Sequence, residues 1–151
     1  MKFIYDDGGR KSSGRRGEAR DCVCRAIAIA AGIPYLEVYN DLEDACSQLK
    51  YRRGKVGIAV AMGRKWGART GIPNDVVRKF LANLGWVWKA TMGIGTGCKV
   101  HLREGEIPMV GTVIVSLSRH VCAVVDGVIR DTFDPSREGS RCVYGYWQKG
   151  A

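Results

Sequence analysis

The apolar positions of this chain change their spacing near residue 85, and the change divides the predicted elements into two groups. Before it, apolar residues recur at the three- and four-residue intervals of helices. After it, they form short runs or alternate with polar residues, as in strands. Helices followed by an antiparallel sheet predict an α+β fold. The length of 151 residues fits one domain, residues 1–151.

Three helices are predicted in the first group. The first begins after Asp21, a residue type favoured at a helix N-cap, and ends at Gly32. Its residues are almost all apolar, and such a helix is normally buried in the centre of a domain. The second helix is predicted for residues 34–49 and the third for residues 74–84.

The strands include a hairpin whose turn can be read from the sequence. They are predicted at residues 3–5, 86–88, 111–117, 121–125, 128–133 and 142–147. Asp126-Gly127 is a strong signal for a two-residue turn, which sets Val125 opposite Val128.

Residues 1–20 stand apart from the rest of the chain. After the short edge strand, residues 8–17 are glycine, serine, arginine and lysine and offer nothing to bury. We predict a basic, partly mobile N-terminal segment.

Composition and charge narrow the class of protein. With 46% hydrophobic residues the chain can bury a core, and no apolar run approaches the ~18 residues of a membrane span. The absence of a signal-like start predicts a cytoplasmic protein, in the host cytoplasm if the gene is viral. The net charge of +9 favours acidic proteins or nucleic acid as partners.

The chain has six cysteines, and without a signal peptide we expect them to be mostly free thiols. Because no pair has the CxxC spacing of a zinc or redox site, no metal and no cofactor are expected.

The candidate chemistry centres on Cys22, which directly follows the predicted N-cap. A helix N-terminus favours the thiolate form of a thiol placed there. Cysteine nucleophiles also use a histidine base and a third group that orients it. His120 begins a hairpin strand, and the two-residue turn places Asp131 one diagonal step away on the same face. A three-residue loop would instead bring Asp134 to that face.

Two neighbouring candidates receive other roles. Cys24 lies two residues further along the helix and points elsewhere, so we expect it to pack in the core. His101 lies in a glycine-rich region and is expected to be an exposed loop residue.

These residues resemble the papain-like cysteine hydrolase superfamily. The resemblance rests on residues 21–28, on Ser118-Arg119-His120, and on residues 131–135 with their Asp-Pro pair. It is strongest to small bacterial and phage members, such as bacteriocin-processing peptidases and cell-wall amidopeptidases. The chain as a whole, with its motif at residues 141–147, also resembles phage-encoded proteins of similar layout.

The resemblance implies a papain-like fold, with N-terminal helices packed on a C-terminal sheet. It implies that Cys22 is the nucleophile, His120 the base, and Asp131 or Asp134 the orienting acid. Many relatives also place a glutamine shortly before the cysteine, whereas residues 16–20 contain none. The backbone N–H groups of Cys22 and Val23 can serve as oxyanion donors instead.

The function expected from these residues is a thiol hydrolase, a peptidase, amidase or isopeptidase that acts on a peptide, protein or cell-wall peptide. Two alternatives belong to other classes. One is a degenerate member of the fold that only binds a protein, and the other is a basic nucleic-acid-binding module.

Overall fold

The structure is a computed structural model that describes residues 1–17 and 19–150. The helices in these residues are α1 (Cys22–Ala31), α2 (Tyr35–Ser47), α3 (Lys55–Ala61) and α4 (Asn74–Asn83), with a 3₁₀ turn at Gln48–Tyr51. The strands are β1 (Lys2–Tyr5), β2 (Trp86–Ala90), β3 (Thr112–Leu117), β4 (His120–Val125), β5 (Val128–Asp131) and β6 (Gly145–Lys149). None of the described helices has the length and apolar character needed to cross a membrane.

The six strands form one sheet in the order β1-β5-β4-β3-β6-β2. All neighbours are antiparallel except β1 and β5, which run parallel. The α+β class and the antiparallel pairing of the C-terminal strands are confirmed, but the sheet is mixed, because the N-terminal strand β1 adds a parallel edge. Parallel strands need a long crossover connection, and here everything from the first helix to β4 lies between the two strands.

The sheet buries apolar residues on both of its faces. On one face α1, of which six residues are buried, packs with the buried sides of α2 and α4 and with Ile114 of β3. On the other face, Val113 and Val115 of the same strand pack with residues from 100–107. This alternation follows from the two-residue period of a strand. The apolar packing on the first face holds α1 against β3 and β4.

The local predictions for α1 and the hairpin are confirmed. Gly32 ends α1 in the left-handed conformation, with φ of 66°. Asp126 and Gly127 both have positive φ, 48° and 75°, as a tight two-residue turn requires. Val125 is paired with Val128, which is the predicted register.

The N-terminal segment is partly built into the fold. Its first residues form β1, so the predicted edge strand is confirmed. Residues 6–17 form turns in which the carboxylates of Asp6 and Asp7 accept hydrogen bonds from the N–H groups of Gly8 and Gly9. The mobility of this segment stays a prediction, and Glu18 within it, like Ala151, lies outside the described residues.

Candidate active site at the tip of the first helix

Cys22 is the first residue of α1, and its side chain is partly exposed. It lines a cleft of about 780 Å³ together with His120. The helix therefore directs its N-terminal turn, and the thiol on it, towards the start of β4.

His120 and Asp131 lie side by side on the hairpin. His120 Nε2 is 2.5 Å from Asp131 Oδ2, and their side chains are only 9% and 3% exposed. The confirmed register explains the contact, because Asp131 is one diagonal step from His120 on the same face. The ring of Phe133 packs against the imidazole, with centroids 5.0 Å apart. The imidazole is thus held in one orientation.

The environment favours the protonated form of His120. Burial lowers the pKa of the imidazole, but the bond to Asp131 and the nearby Cys22 side chain raise it, with a net rise to about 9. Asp131 occupies Nε2, so Nδ1 is the nitrogen that remains for Cys22. A side-chain hydrogen bond with Cys22 is among the causes of the raised pKa of His120, and such catalytic contacts often tighten further when substrate binds.

Arg25 connects the carboxylates behind this site. Its guanidinium forms an ion pair with Asp21 and lies 3.3 Å from Asp131 Oδ1. Asp21 is completely buried and also accepts a hydrogen bond of 2.6 Å from the Tyr35 hydroxyl. The Asp131 carboxylate also accepts a hydrogen bond of 2.7 Å from the Thr132 N–H. Both buried carboxylates are therefore fully paired, and Asp131 is fixed from the side opposite His120.

Sequence reasoning missed Arg25, although a signal was present. It is the one charged residue of α1, in a helix that is otherwise apolar, and it lies four residues after Asp21. A charge on a buried helix needs a partner, and residues four apart on a helix are neighbours.

Asp21 occupies the N-cap position of α1, but its side chain does not cap the helix. Its oxygens are taken by Arg25, Tyr35 and Arg10 instead. The first bond of the helix is donated by the Arg25 N–H. No described residue is seen to accept a hydrogen bond from the N–H groups of Cys22 or Val23.

Asp134, the alternative orienting acid, has a different role in the structure. Its carboxylate accepts a hydrogen bond of 2.9 Å from the Ser136 N–H, within a turn. The structure therefore brings Asp131, and not Asp134, into contact with His120.

The other free thiols differ from Cys22 in burial. Burial, followed by the charge of Asp21, raises the pKa of Cys24 to about 12. Burial, followed by Glu43, raises that of Cys46 to about 11, and burial also raises the pKa of Cys122. Cys24 packs in the core, as expected. Cys22 is thus the one free thiol of the described residues that is not fully buried.

Four of the six cysteines are free, so the expectation of mostly free thiols is confirmed, and the remaining two are bonded to each other. Cys98 and Cys142 form a disulfide that spans 44 positions of sequence. His101 lies next to it, with Nε2 3.6 Å from Cys98 Sγ and Nδ1 3.2 Å from Glu106 Oε1. Sequence spacing could not indicate this bridge, because its cysteines meet through a pairing between His101 and Cys142.

The described residues contain no group of three or more histidine, cysteine or acidic side chains that could hold a metal ion. The cleft presents the Cys22 thiol beside an imidazole that Asp131 orients. No protein family model, no curated protein and no solved structure matches this chain.

Proposed function

We propose that the chain is a papain-like cysteine hydrolase that cleaves an amide bond, in which Cys22, His120 and Asp131 act together. The observation that carries the proposal is the buried His120–Asp131 pair, 2.5 Å apart, beside a helix-tip thiol in an open cleft. Nothing else in the described part of the chain combines a free, accessible thiol with a positioned base.

The proposed reaction has two stages. The Cys22 thiolate attacks the carbonyl carbon of the amide, and the N–H groups of Cys22 and Val23 bind the oxyanion. The C–N bond then breaks as His120 donates its proton to the leaving amine. In the second stage His120 takes a proton from water, the hydroxide attacks the thioester, and the C–S bond breaks, which releases the acid product and restores the Cys22 thiolate and the His120 imidazolium.

The high pKa of His120, about 9, fits the first stage. An imidazolium at neutral pH can stabilise the thiolate and hold the proton that the leaving amine requires. Asp131 keeps the ring oriented through Nε2, and Arg25 and Thr132 hold Asp131 in turn.

The first test measures the rate of iodoacetamide labelling of each free cysteine by mass spectrometry. At neutral pH Cys22 should react fastest, because burial raises the pKa values of Cys24, Cys46 and Cys122. His120→Gln should slow the labelling of Cys22 roughly tenfold or more, since the thiolate loses its cationic partner. His101→Gln, the matched loss of an imidazole elsewhere, should leave the rate unchanged.

A second pair of variants separates the two candidate acids. Asp131→Asn should slow the labelling of Cys22, because an amide no longer stabilises the imidazolium, whereas Asp134→Asn should have no effect. Thermal unfolding of each variant confirms that it is folded. If Cys22 reacts equally in all four variants, no Cys–His pair exists and the hydrolase proposal fails, leaving a protein-binding role for the fold.

A further inference from the structure

We propose that the substrate of this site is a peptide with acidic side chains on one side of the amide bond to be cleaved. This inference rests on the hydrolase proposal, but it concerns a separate surface, a groove that extends from the cleft at Cys22.

The groove has a volume of about 1270 Å³ and is continuous with the cleft. The residues that line both are Ala19, Arg20, Arg25, Arg64, Thr70 and Phe133. An extended peptide can therefore pass from the groove into the cleft without leaving the surface. We call this second depression the basic groove.

The charged lining of the basic groove has one sign. Its cationic residues are Arg10, Arg20, Arg25, Arg64, Lys65 and Arg69, and the described lining includes no carboxylate. In the adjoining cleft the acidic lining residue is Asp21, which is completely buried and already paired. The described lining of both depressions thus presents positive charge to a ligand.

Three of these cations are available to a ligand. Arg20 and Lys65 are exposed and form no ion pair with any described residue. Arg64 is exposed and stacks on the Trp66 ring, with its guanidinium carbon 4.1 Å from the centroid. Arg10 and Arg25, by contrast, bind Asp21. The free cations lie on the exposed side of the groove and fit carboxylates of a bound peptide.

The part of the cleft beyond the groove has a different character. Its lining is mostly apolar and aromatic, with Trp66, Ile72, Pro73, Leu117 and Tyr144, and it also includes the polar Asn74 and Ser116 and the exposed Arg119. A peptide that crosses Cys22 would therefore place acidic residues in the basic groove and an apolar side chain in the cleft. A peptide also supplies the amide bond on which a thiol nucleophile acts, whereas a nucleic acid does not, and Arg64 already covers one face of Trp66.

The experiment measures binding without turnover. A fluorescein-labelled peptide rich in glutamate, with one central leucine, is titrated with the full-length Cys22→Ala protein and followed by anisotropy. The comparison peptide carries glutamine at every glutamate position. We expect the acidic peptide to bind at least tenfold more tightly at low salt, with a difference that shrinks as salt screens the charges.

Two double variants, made in the same Cys22→Ala protein, locate the surface. Arg20→Gln/Lys65→Gln removes two cations of the groove and should weaken binding of the acidic peptide about fivefold or more. Lys79→Gln/Lys99→Gln removes the same charge from exposed positions outside both depressions and should change binding less than about twofold.

Several results would overturn the inference. These are equal binding of the two peptides, an equal loss in both double variants, and a single-stranded oligonucleotide that displaces the acidic peptide at lower concentration than the unlabelled peptide does. Because binding is measured without Cys22, these results leave the hydrolase proposal standing. Failure of the cysteine-labelling test would remove that proposal independently.

Discussion

The two histidines of this chain lie in clusters of the same residue types, sulfur, imidazole and carboxylate, yet the clusters differ in what they can do. The helix-tip cluster consists of Cys22, His120 and Asp131, and the loop cluster of Cys98, His101 and Glu106. In the helix-tip cluster the sulfur is a free thiol at the start of a helix. In the loop cluster it is part of a disulfide and has no nucleophilic form.

The two imidazoles also differ in how deeply they are buried. The side chain of His120 is 9% exposed and that of His101 is 28% exposed. Asp131 is fixed by Arg25 and Thr132, whereas Glu106 also pairs with Arg103, whose side chain is 55% exposed. Residue types and proximity therefore do not distinguish the two clusters. They differ in the free thiol and in the carboxylate that rigid elements hold, and a preorganised reactive site requires both.

The largest difference between the clusters should appear when their arginines are removed. Arg25→Met leaves Asp21 and Asp131 buried without their shared cation, and it should lower the free energy of unfolding by about 3–5 kcal/mol. Arg103→Met removes a cation of the same type from an exposed pair and should cost less than about 1 kcal/mol. Urea denaturation of both variants measures the two values.

If both variants lose a similar free energy of unfolding, then Arg25 does not neutralise the buried carboxylates as the structure indicates. Should Arg25→Met fail to fold, Arg25→Lys retains the positive charge and should recover most of the loss. If Arg25→Lys is as unstable as Arg25→Met, the role assigned to the charge is wrong.

The disulfide gives a second, smaller effect that belongs to the loop cluster alone. Cys98→Ser/Cys142→Ser should lower the free energy of unfolding by about 2–4 kcal/mol, because the bridge closes a loop of 44 positions. The labelling rate of Cys22 should stay the same. The measurement is denaturation of wild type and variant with and without reductant, and reductant should abolish the difference between them. A difference that persists under reduction would mean that the loss comes from packing and not from the bridge.

The smallest of these effects should be the pH dependence of the free energy of unfolding, which we expect to differ between the two histidine variants. The folded protein raises the pKa of His120 from 6.5 to about 9. Protonated His120 therefore stabilises the folded protein by up to about 3 kcal/mol. This contribution is complete below pH 6.5 and is lost as the pH rises through 9. The stability difference between wild type and His120→Gln should shrink over this range.

The matched variant is His101→Gln, which removes an imidazole from the partly exposed pair with Glu106. Denaturation at several pH values gives both profiles. A difference between wild type and His120→Gln that stays constant from pH 6 to pH 10 would contradict the raised pKa.

The part of the site that could be predicted depends on short-range rules. The turn at Asp126-Gly127 fixes the hairpin register, and the register alone places Asp131 beside His120. The apolar run after Asp21 likewise fixes α1, and with it the position of Cys22 at the helix start. Each of these inferences needs fewer than fifteen neighbouring residues.

The contacts that support the site could not be predicted in the same way. Arg25 and Asp131 are separated by 106 positions, and Tyr35 reaches Asp21 from another helix. The Asp21 side chain could have capped α1, but buried partners attract it more strongly than the helix N–H groups do. Such a choice depends on which groups the folded core excludes from water.

By itself, the sequence determined the α+β class, the buried first helix and the hairpin that orients His120. These follow from apolar spacing and turn chemistry, which act between near neighbours. Only the tertiary structure decided the parallel edge at β1, the disulfide, and the paired carboxylates behind Cys22. It decided them because they join segments far apart in sequence, and their energies exist only once those segments are packed together and water is excluded.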